Sequence, residues 1–236
     1  MGALFSYVLR FDDGAAPNPY CNVCTLTICK PIIRRTAHVG DWVIGVGSKR
    51  VKIENGQSVS YNGKLVYAMR VTQIMTLQEY DNYCRNNLPG KIPNWSKPDA
   101  VAMAGDCIYD YATPSHPNLR KSVHKEFNVA TDLRGVNALL SSEFYYFGSQ
   151  PVQIPKYLQE IIKRNRGHKK IINPDIIRQF EQWITGFSKN SVLSPPQKHY
   201  IFRQENLAKC ISSCARKRRT DDQHEEEELC LPTCLH

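Results

Sequence analysis

The run TLTICKPIIRRTAHVGDWVIGV, residues 25–46, decides the reading of this chain. Cys29-Lys30-Pro31 leads into Arg34 and Arg35, and residues 31–38 fit one or two helical turns. Gly40-Asp41 then turns the chain. Trp42-Val43-Ile44-Gly45-Val46 is an apolar run of strand length, and LVYAMRV, residues 65–71, is a second. Between them Asn55-Gly56 and Asn62-Gly63 mark a hairpin excursion over residues 49–64. A basic segment that enters a Gly-Asp turn ahead of two buried strands predicts a barrel-like sheet with cations and aromatics beside a pocket. Such a surface suits a nucleotide or nucleic acid better than an apolar metabolite.

Upstream, residues 4–11 alternate, with Phe5, Tyr7, Leu9 and Phe11 on one face of a strand. Asp12-Asp13-Gly14 ends it, and Pro17 and Pro19 hold the next residues in a loop. Residues 24–29 read as a short extended segment. Downstream, Thr76 and Glu79 have capping-box spacing and start a helix that runs to about Asn86. Prolines 89, 93 and 98 keep residues 88–113 loop-rich, with a short strand at 107–111. Residues 115–131 are polar and irregular, and 136–140 and 144–147 look like strands closing the sheet. Residues 155–166 read as a helix. Asn173-Pro174 caps another, whose stripe of Ile176, Ile177, Phe180, Trp183, Ile184 and Phe187 is core packing. Ser194-Pro195-Pro196 breaks the chain before a last helix from about Tyr200. The pattern predicts an α+β protein, a mostly antiparallel barrel-like sheet with C-terminal helices. Residues 1–200 form the domain, and residues 201–236 a C-terminal helix and a charged, cysteine-containing tail.

The chain has 236 residues, 42% hydrophobic and 10% aromatic, which supports a packed core and excludes wholesale disorder. No apolar run reaches membrane-spanning length, and no secretory signal is expected at the start. Net charge is +9, from 31 Lys/Arg and 22 Asp/Glu. Residues 205–236 hold five of those cations and seven of the acids, so the body carries +11. A body this basic attracts polyanions, and its cations cluster at Arg34-Arg35, Lys163-Arg164, Arg166 and Lys169-Lys170. Nine cysteines without a leader point to reduced thiols in a cytoplasmic setting.

Several side-chain groups carry chemistry on paper. Cys21-x-x-Cys24 has zinc-ligand spacing, with Cys29 and His38 as the nearest further donors. No second pair follows, and Cys29 lies in an apolar run, so these read as packed thiols and no metal site is assigned. Cys210-x-x-x-Cys214 and Cys230-x-x-x-Cys234 form a twin pattern in the tail, broken by Pro232. His116, His124 and Asp132 share a long polar stretch with Asn118, a setting for acid–base work. His168, between Gly167 and Lys169, either caps a helix end or meets a phosphate, base edge or proton. Lys30, Arg34 and Arg35 can fork onto phosphate, and Trp42 and Tyr67 can stack on a base or pack the core.

These residues together resemble a known family. The resemblance rests on Tyr7-Val8-Leu9-Arg10, Ala16-Pro17-Asn18-Pro19, Cys24-Thr25-Leu26, the Cys29 to Arg35 run, Val39 to Gly45, Leu65 to Val71, Leu139-Leu140-Ser141, Phe144 to Gly148 and Arg166 to Lys169. They look like the second type of nucleotide-modification-associated domain, found in bacteria and phages and linked by genomic context to DNA base hypermodification. The likeness covers residues 4–187 and leaves out the tail. It implies a nucleic-acid partner, DNA foremost, or nucleotides, and it names no cofactor and no reaction. By analogy the Gly-Asp turn is similar to PUA-like and EVE-like barrels, which bind modified bases.

The first expectation is therefore a binding module for a modified or flipped nucleotide. Lys30, Arg34 and Arg35 would hold phosphate, Trp42 or Tyr67 would stack, and Asn18 and His168 would meet a base edge, with Asn118, Tyr146 and Lys169 as further nucleotide-binding candidates. The rival expectation is an enzyme on a nucleotide or base, with His116, Asp132 and His168 as acid–base groups. A third is an interaction protein docking through its charged tail.

Overall fold

Alternation over residues 4–11 yields the strand Leu4–Leu9, which pairs on both sides in the largest sheet. In the computed structural model, which describes residues 2–113 and 117–202, that sheet has seven strands. Their order is His168–Ile171, Leu4–Leu9, Trp42–Gly47, Lys64–Arg70, Glu143–Tyr146 and Ser191–Val192, with Val152–Gln153 also paired to Lys64–Arg70. Leu4–Leu9 and Trp42–Gly47 run parallel, Leu4 opposite Trp42 and Leu9 opposite Gly47. Residues 10–41 make the long crossover that parallel neighbours require. The turn predicted at Gly40-Asp41 ends that crossover. Gly40 takes φ 95°, and the Asp41 carboxylate accepts the N–H groups of Ala3 (2.6 Å) and His38 (2.8 Å).

The mixed α and β content is as expected, and the barrel-like closure is not confirmed. The sheet order does not return on itself, and no closed barrel is present among the described residues. The reason is visible in the strands, which are apolar on both faces. Phe5, Tyr7, Val43, Met69, Phe144 and Tyr146 enter one core, and Leu4, Trp42, Ile44, Ala68, Tyr145 and Phe147 enter a second. A barrel hides one face of its strands, whereas here each face has its own cover. The molecule is mixed α/β, with a central sheet between two apolar layers.

The first layer is built on a smaller sheet of Cys24–Leu26, Asn137–Ser141 and Gln73–Thr76. Residues 136–140, expected to close the main sheet, lie in this one instead. Five α-helices are described: α1 Pro31–Thr36, α2 Leu77–Asn87, α3 Ala100–Met103, α4 Glu126–Leu133 and α5 Pro174–Ile184. The capping box at α2 forms as expected: the Thr76 N–H donates to Glu79 Oε2 (2.7 Å) and the Glu79 N–H to Thr76 Oγ1 (3.2 Å). On α5, Asn173 Oδ1 accepts the Asp175 N–H at 3.0 Å, and Ile177, Phe180 and Ile184 fill the second core. The helix expected at 155–166 is a 3₁₀ stretch, Lys156–Ile161, with Leu158 off helical angles (φ −107°). Gly167 (φ 77°) opens the edge strand His168–Ile171 rather than ending a helix. Helix α4 lies in the stretch expected to be irregular. The helix expected from Tyr200 begins as a 3₁₀ turn, His199–Phe202, and its remainder, with the tail cysteines, lies outside the described residues. No described helix is long and apolar enough to cross a membrane.

A buried ammonium ties the crossover to the first layer. Lys91 is fully buried, and its three N–H donors are shared among four oxygens, Asn18 O (2.9 Å), Asn18 Oδ1 (2.8 Å), Val23 O (2.7 Å) and Thr25 Oγ1 (2.9 Å). Thr25 Oγ1 in turn donates to Asp106 Oδ2 (2.6 Å), and the Tyr80 hydroxyl donates to Asp106 Oδ1 (2.8 Å). Burial pulls the Lys91 ammonium down and pushes the Asp106 carboxyl up, while each charge holds the other in place. Lys91→Met should cost about 3–5 kcal/mol in urea denaturation, because it strands a buried carboxylate and the acceptors around it. Adding Asp106→Asn should return part of that loss. A cost below about 1 kcal/mol for Lys91→Met would show the network to be dispensable.

Candidate functional site

Where the parallel strands end, the surface opens into a cleft of about 480 Å³. Val8 and Arg10 come from the end of the first strand, Ser48 and Lys49 follow Trp42–Gly47, and Arg164, Asn165, Arg166 and Gly167 precede His168–Ile171. Lys30 completes the lining, its Nζ 4.9 Å from the centre of the Tyr7 ring. Five of the nine lining residues are cations, and none is acidic or aromatic. The carboxyl ends of parallel strands are where open α/β sheets bind ligands, because the chain diverges there into loops.

Beside Lys30 lies a second group. Cys29 Sγ is 3.5 Å from His124 Nε2, and His124 Nδ1 is 2.5 Å from Asp132 Oδ2. Asp132 Oδ1 accepts the Cys29 N–H at 2.9 Å, and Oδ2 also accepts the Tyr109 hydroxyl at 2.8 Å. Arg34 donates from beneath to the carbonyls of Thr27 and Asp132. Gly135 makes room for it, since a Cβ there would overlap the guanidinium. Burial alone would raise the Asp132 carboxyl, but His124, Arg34 and the Cys29 N–H outweigh it and hold Asp132 below the usual carboxylate range. The three donor atoms lie within 4.8 Å of one another, close enough to consider a metal. The imidazole, however, offers one edge to Cys29 and the opposite edge to Asp132. That arrangement is a relay, and an ion held by Sγ and Nε2 would have Asp132 as a support for the ring rather than a ligand.

The expected site residues fall into different surroundings. Lys30 reaches the cleft, and Asp132 joins His124 and Cys29. Arg34 is buried and spans backbone carbonyls, while Arg35 is exposed and donates to Arg134 O at 3.3 Å. Asn18 is buried in the Lys91 network and donates to Ala104 O at 2.9 Å. Trp42 is packed on Phe180, its Nε1 donating to Glu181 Oε1 at 3.0 Å. The Tyr67 and Tyr7 hydroxyls meet at 2.9 Å inside the core. His168 sits opposite Tyr7 on the edge strand, its ring 5.9 Å from Phe5, and Lys169 Nζ donates to Glu160 O at 2.7 Å. Asn118 is exposed in the short strand Asn118–Leu119. His116 lies outside the described residues. Cys29 and His124 stand 95 positions apart. In the sequence Cys29 is one more thiol of an apolar run, and nothing adjacent pairs it with a base. The signals that single it out are its place at the head of the most specific motif and a His and an Asp eight residues apart elsewhere.

Tyr146 serves another carboxylate. Its hydroxyl lies 2.7 and 2.8 Å from the two oxygens of Asp12. Burial pushes Asp12 up to about 7, Tyr146 opposes it, and the Asp13 charge adds to it. An unfolded Asp releases its proton near pH 3.9, so between about pH 4 and 7 the folded protein keeps a proton the unfolded chain has lost. Stability from this group is full below about pH 4 and is lost as pH rises towards 7, at up to about 1.4 kcal/mol per unit. Asp12→Asn should flatten the stability–pH curve over that window in urea titrations. An unchanged slope would show that Asp12 titrates normally.

Neither the curated proteins nor the solved structures hold a significant match to this chain. One family model does match, over residues 1–203, and so includes both the cationic cleft and the Cys29–His124–Asp132 group. The chain therefore belongs to the family described as nucleotide modification associated domain 2.

Proposed function

We propose that the protein binds nucleotides or nucleic acid by their phosphates in the cleft of Arg10, Lys30, Lys49, Arg164 and Arg166, in the service of nucleotide modification. The observation that carries this is a concave lining of five cations without a carboxylate, at the carboxyl ends of the parallel strands. A site of that composition gains free energy by releasing counterions from a polyanion. The basic body, +11 without its tail, would bring such ligands in. The family description supplies the link to nucleotide modification. Trp42 and Tyr67 are not stacking platforms in this reading, because both rings are buried. DNA is the polymer this reading favours, through the resemblance to domains associated with DNA base hypermodification and not through the family description.

Arg164→Ala with Arg166→Ala should weaken binding to single-stranded and duplex oligonucleotides, read by fluorescence anisotropy across a salt series. Both side chains are exposed, so folding should be kept. The slope of log K against log salt should shrink by about one for each phosphate no longer neutralised. Free nucleoside triphosphates, run beside the oligonucleotides, decide whether a polymer is needed. Equal affinity and slope in variant and parent would show that the ligand binds elsewhere.

A further inference from the structure

We infer that Cys29, His124 and Asp132 form a thiol nucleophile site for acyl transfer, acting on an amide- or ester-linked acyl group of a phosphate-bearing molecule held in the adjoining cleft. The substrate half of this rests on the cleft proposal, and the thiol half does not.

Three observations carry it. The first is the relay itself. His124 presents Nε2 to Sγ while Asp132 fixes Nδ1, which is how a base is oriented towards a nucleophile. Asp132 also fastens the nucleophile's own N–H, so one carboxylate positions both partners. The second is the backbone. Cys29 (φ 58°) and Lys30 (φ 46°) are consecutive non-glycine residues in the left-handed region, in the turn between the strand Cys24–Leu26 and α1. Such angles are strained for non-glycine residues, and they concentrate where a side chain must be aimed. A strained strand-to-helix turn is also what exposes the nucleophile of unrelated hydrolases. The third is contrast. Cys24 is buried too, but its sulfur meets Met69 Sδ at 4.0 Å, and burial pushes its thiol up to about 12. A thiol that only fills space has that kind of neighbourhood. Cys29 faces an imidazole backed by a carboxylate and retains 7% of its surface, and its neighbour Lys30 lines the cleft.

In the step that follows, His124 Nε2 takes the Sγ proton and the thiolate attacks the acyl carbon. An S–C bond forms, and the carbonyl π pair moves onto oxygen. When the carbonyl re-forms, the C–N or C–O bond breaks, and the departing amine or alcohol takes the proton from His124. Water, deprotonated by His124, then attacks the thioester. The acid leaves and the thiol is restored, with no net oxidation or reduction.

The test uses the full chain with iodoacetamide, and each cysteine is followed by peptide mass spectrometry from about pH 5 to 9. The charged and titratable groups set around Cys29 are His124, Asp132, Tyr7, Tyr109, Lys30 and Arg34. Cys29 should be alkylated faster than exposed Cys21 below about pH 7, where free thiols are protonated. His124→Asn and Asp132→Asn should move its pH profile upward and slow it on the order of 10²-fold. p-Nitrophenyl acetate should leave an acetyl group on Cys29 that Cys29→Ser does not acquire, a comparison that stands if the His124 variant fails to fold. Cys29 slower than Cys21 at every pH, with no acetyl adduct, would overturn the inference. So would stoichiometric zinc whose removal by chelator is needed before Cys29 reacts. A reactive Cys29 in a protein that binds no nucleotide would keep the thiol site and discard the substrate.

Discussion

The buried carboxylate of Asp132 is the constraint around which the first layer is arranged. An ionised group taken out of water costs several kcal/mol unless its oxygens are occupied. Asp132 meets that demand with donors from three separate parts of the chain: the Cys29 N–H before α1, the Tyr109 hydroxyl after α3, and His124 before its own helix, α4. Arg34, reaching from α1 to the Asp132 carbonyl, adds the countercharge. Each partner alone is a modest hydrogen bond. Together they fix how α1 and α4 approach, so the left-handed turn at Cys29 is over-determined by its surroundings and need not relax.

The cleft depends on the other half of the architecture. Because Leu4–Leu9 and Trp42–Gly47 are parallel, both strands end on the same side, and Arg10 and Lys49 emerge together there. The antiparallel strand His168–Ile171 begins on that side, which brings Arg164 and Arg166 to the same rim. Five cations so placed give the rim a positive charge. The arrangement is understandable as preparation for an anion. Lys30 links the two regions, since it follows Cys29 in the chain and faces the cleft with its side chain.

Local signals are legible in the sequence and long-range ones are not. The α2 capping box, the α5 stripe and the Gly40-Asp41 turn depend on residues within a few positions of each other, and each forms as expected. The family is legible as well, because its motifs are local strings. The topology of the sheet is not, since an apolar run marks a buried strand without saying which strands it will join. Lys91 lies in a stretch legible only as loop-rich, and nothing nearby in sequence announces the four acceptors that surround it. Asp132 stands out in its polar stretch, but Cys29, whose N–H it accepts, lies more than a hundred residues upstream. Clustered charges identify Arg164 and Arg166, whereas Arg34 and Asn18 show that a polar residue in a specific motif can serve the backbone instead.

Three buried aspartates show what the chain does with charge it removes from water. Asp12 meets a tyrosine hydroxyl and a neighbouring aspartate, so burial prevails and its carboxyl rises to about 7. Asp106 has one ammonium nearby, and burial still raises it. Asp132 has an imidazole, a guanidinium and a backbone N–H, and it alone of the three is held below the ordinary range. Core filling does not require that difference, since a neutral acid would pack equally well and cost less. A carboxylate kept charged against its burial can stabilise an imidazolium at each turnover and hold the ring in one tautomer. That the chain keeps this charge behind the imidazole facing Cys29, at a turn whose backbone is itself strained, is the reason to look there for chemistry.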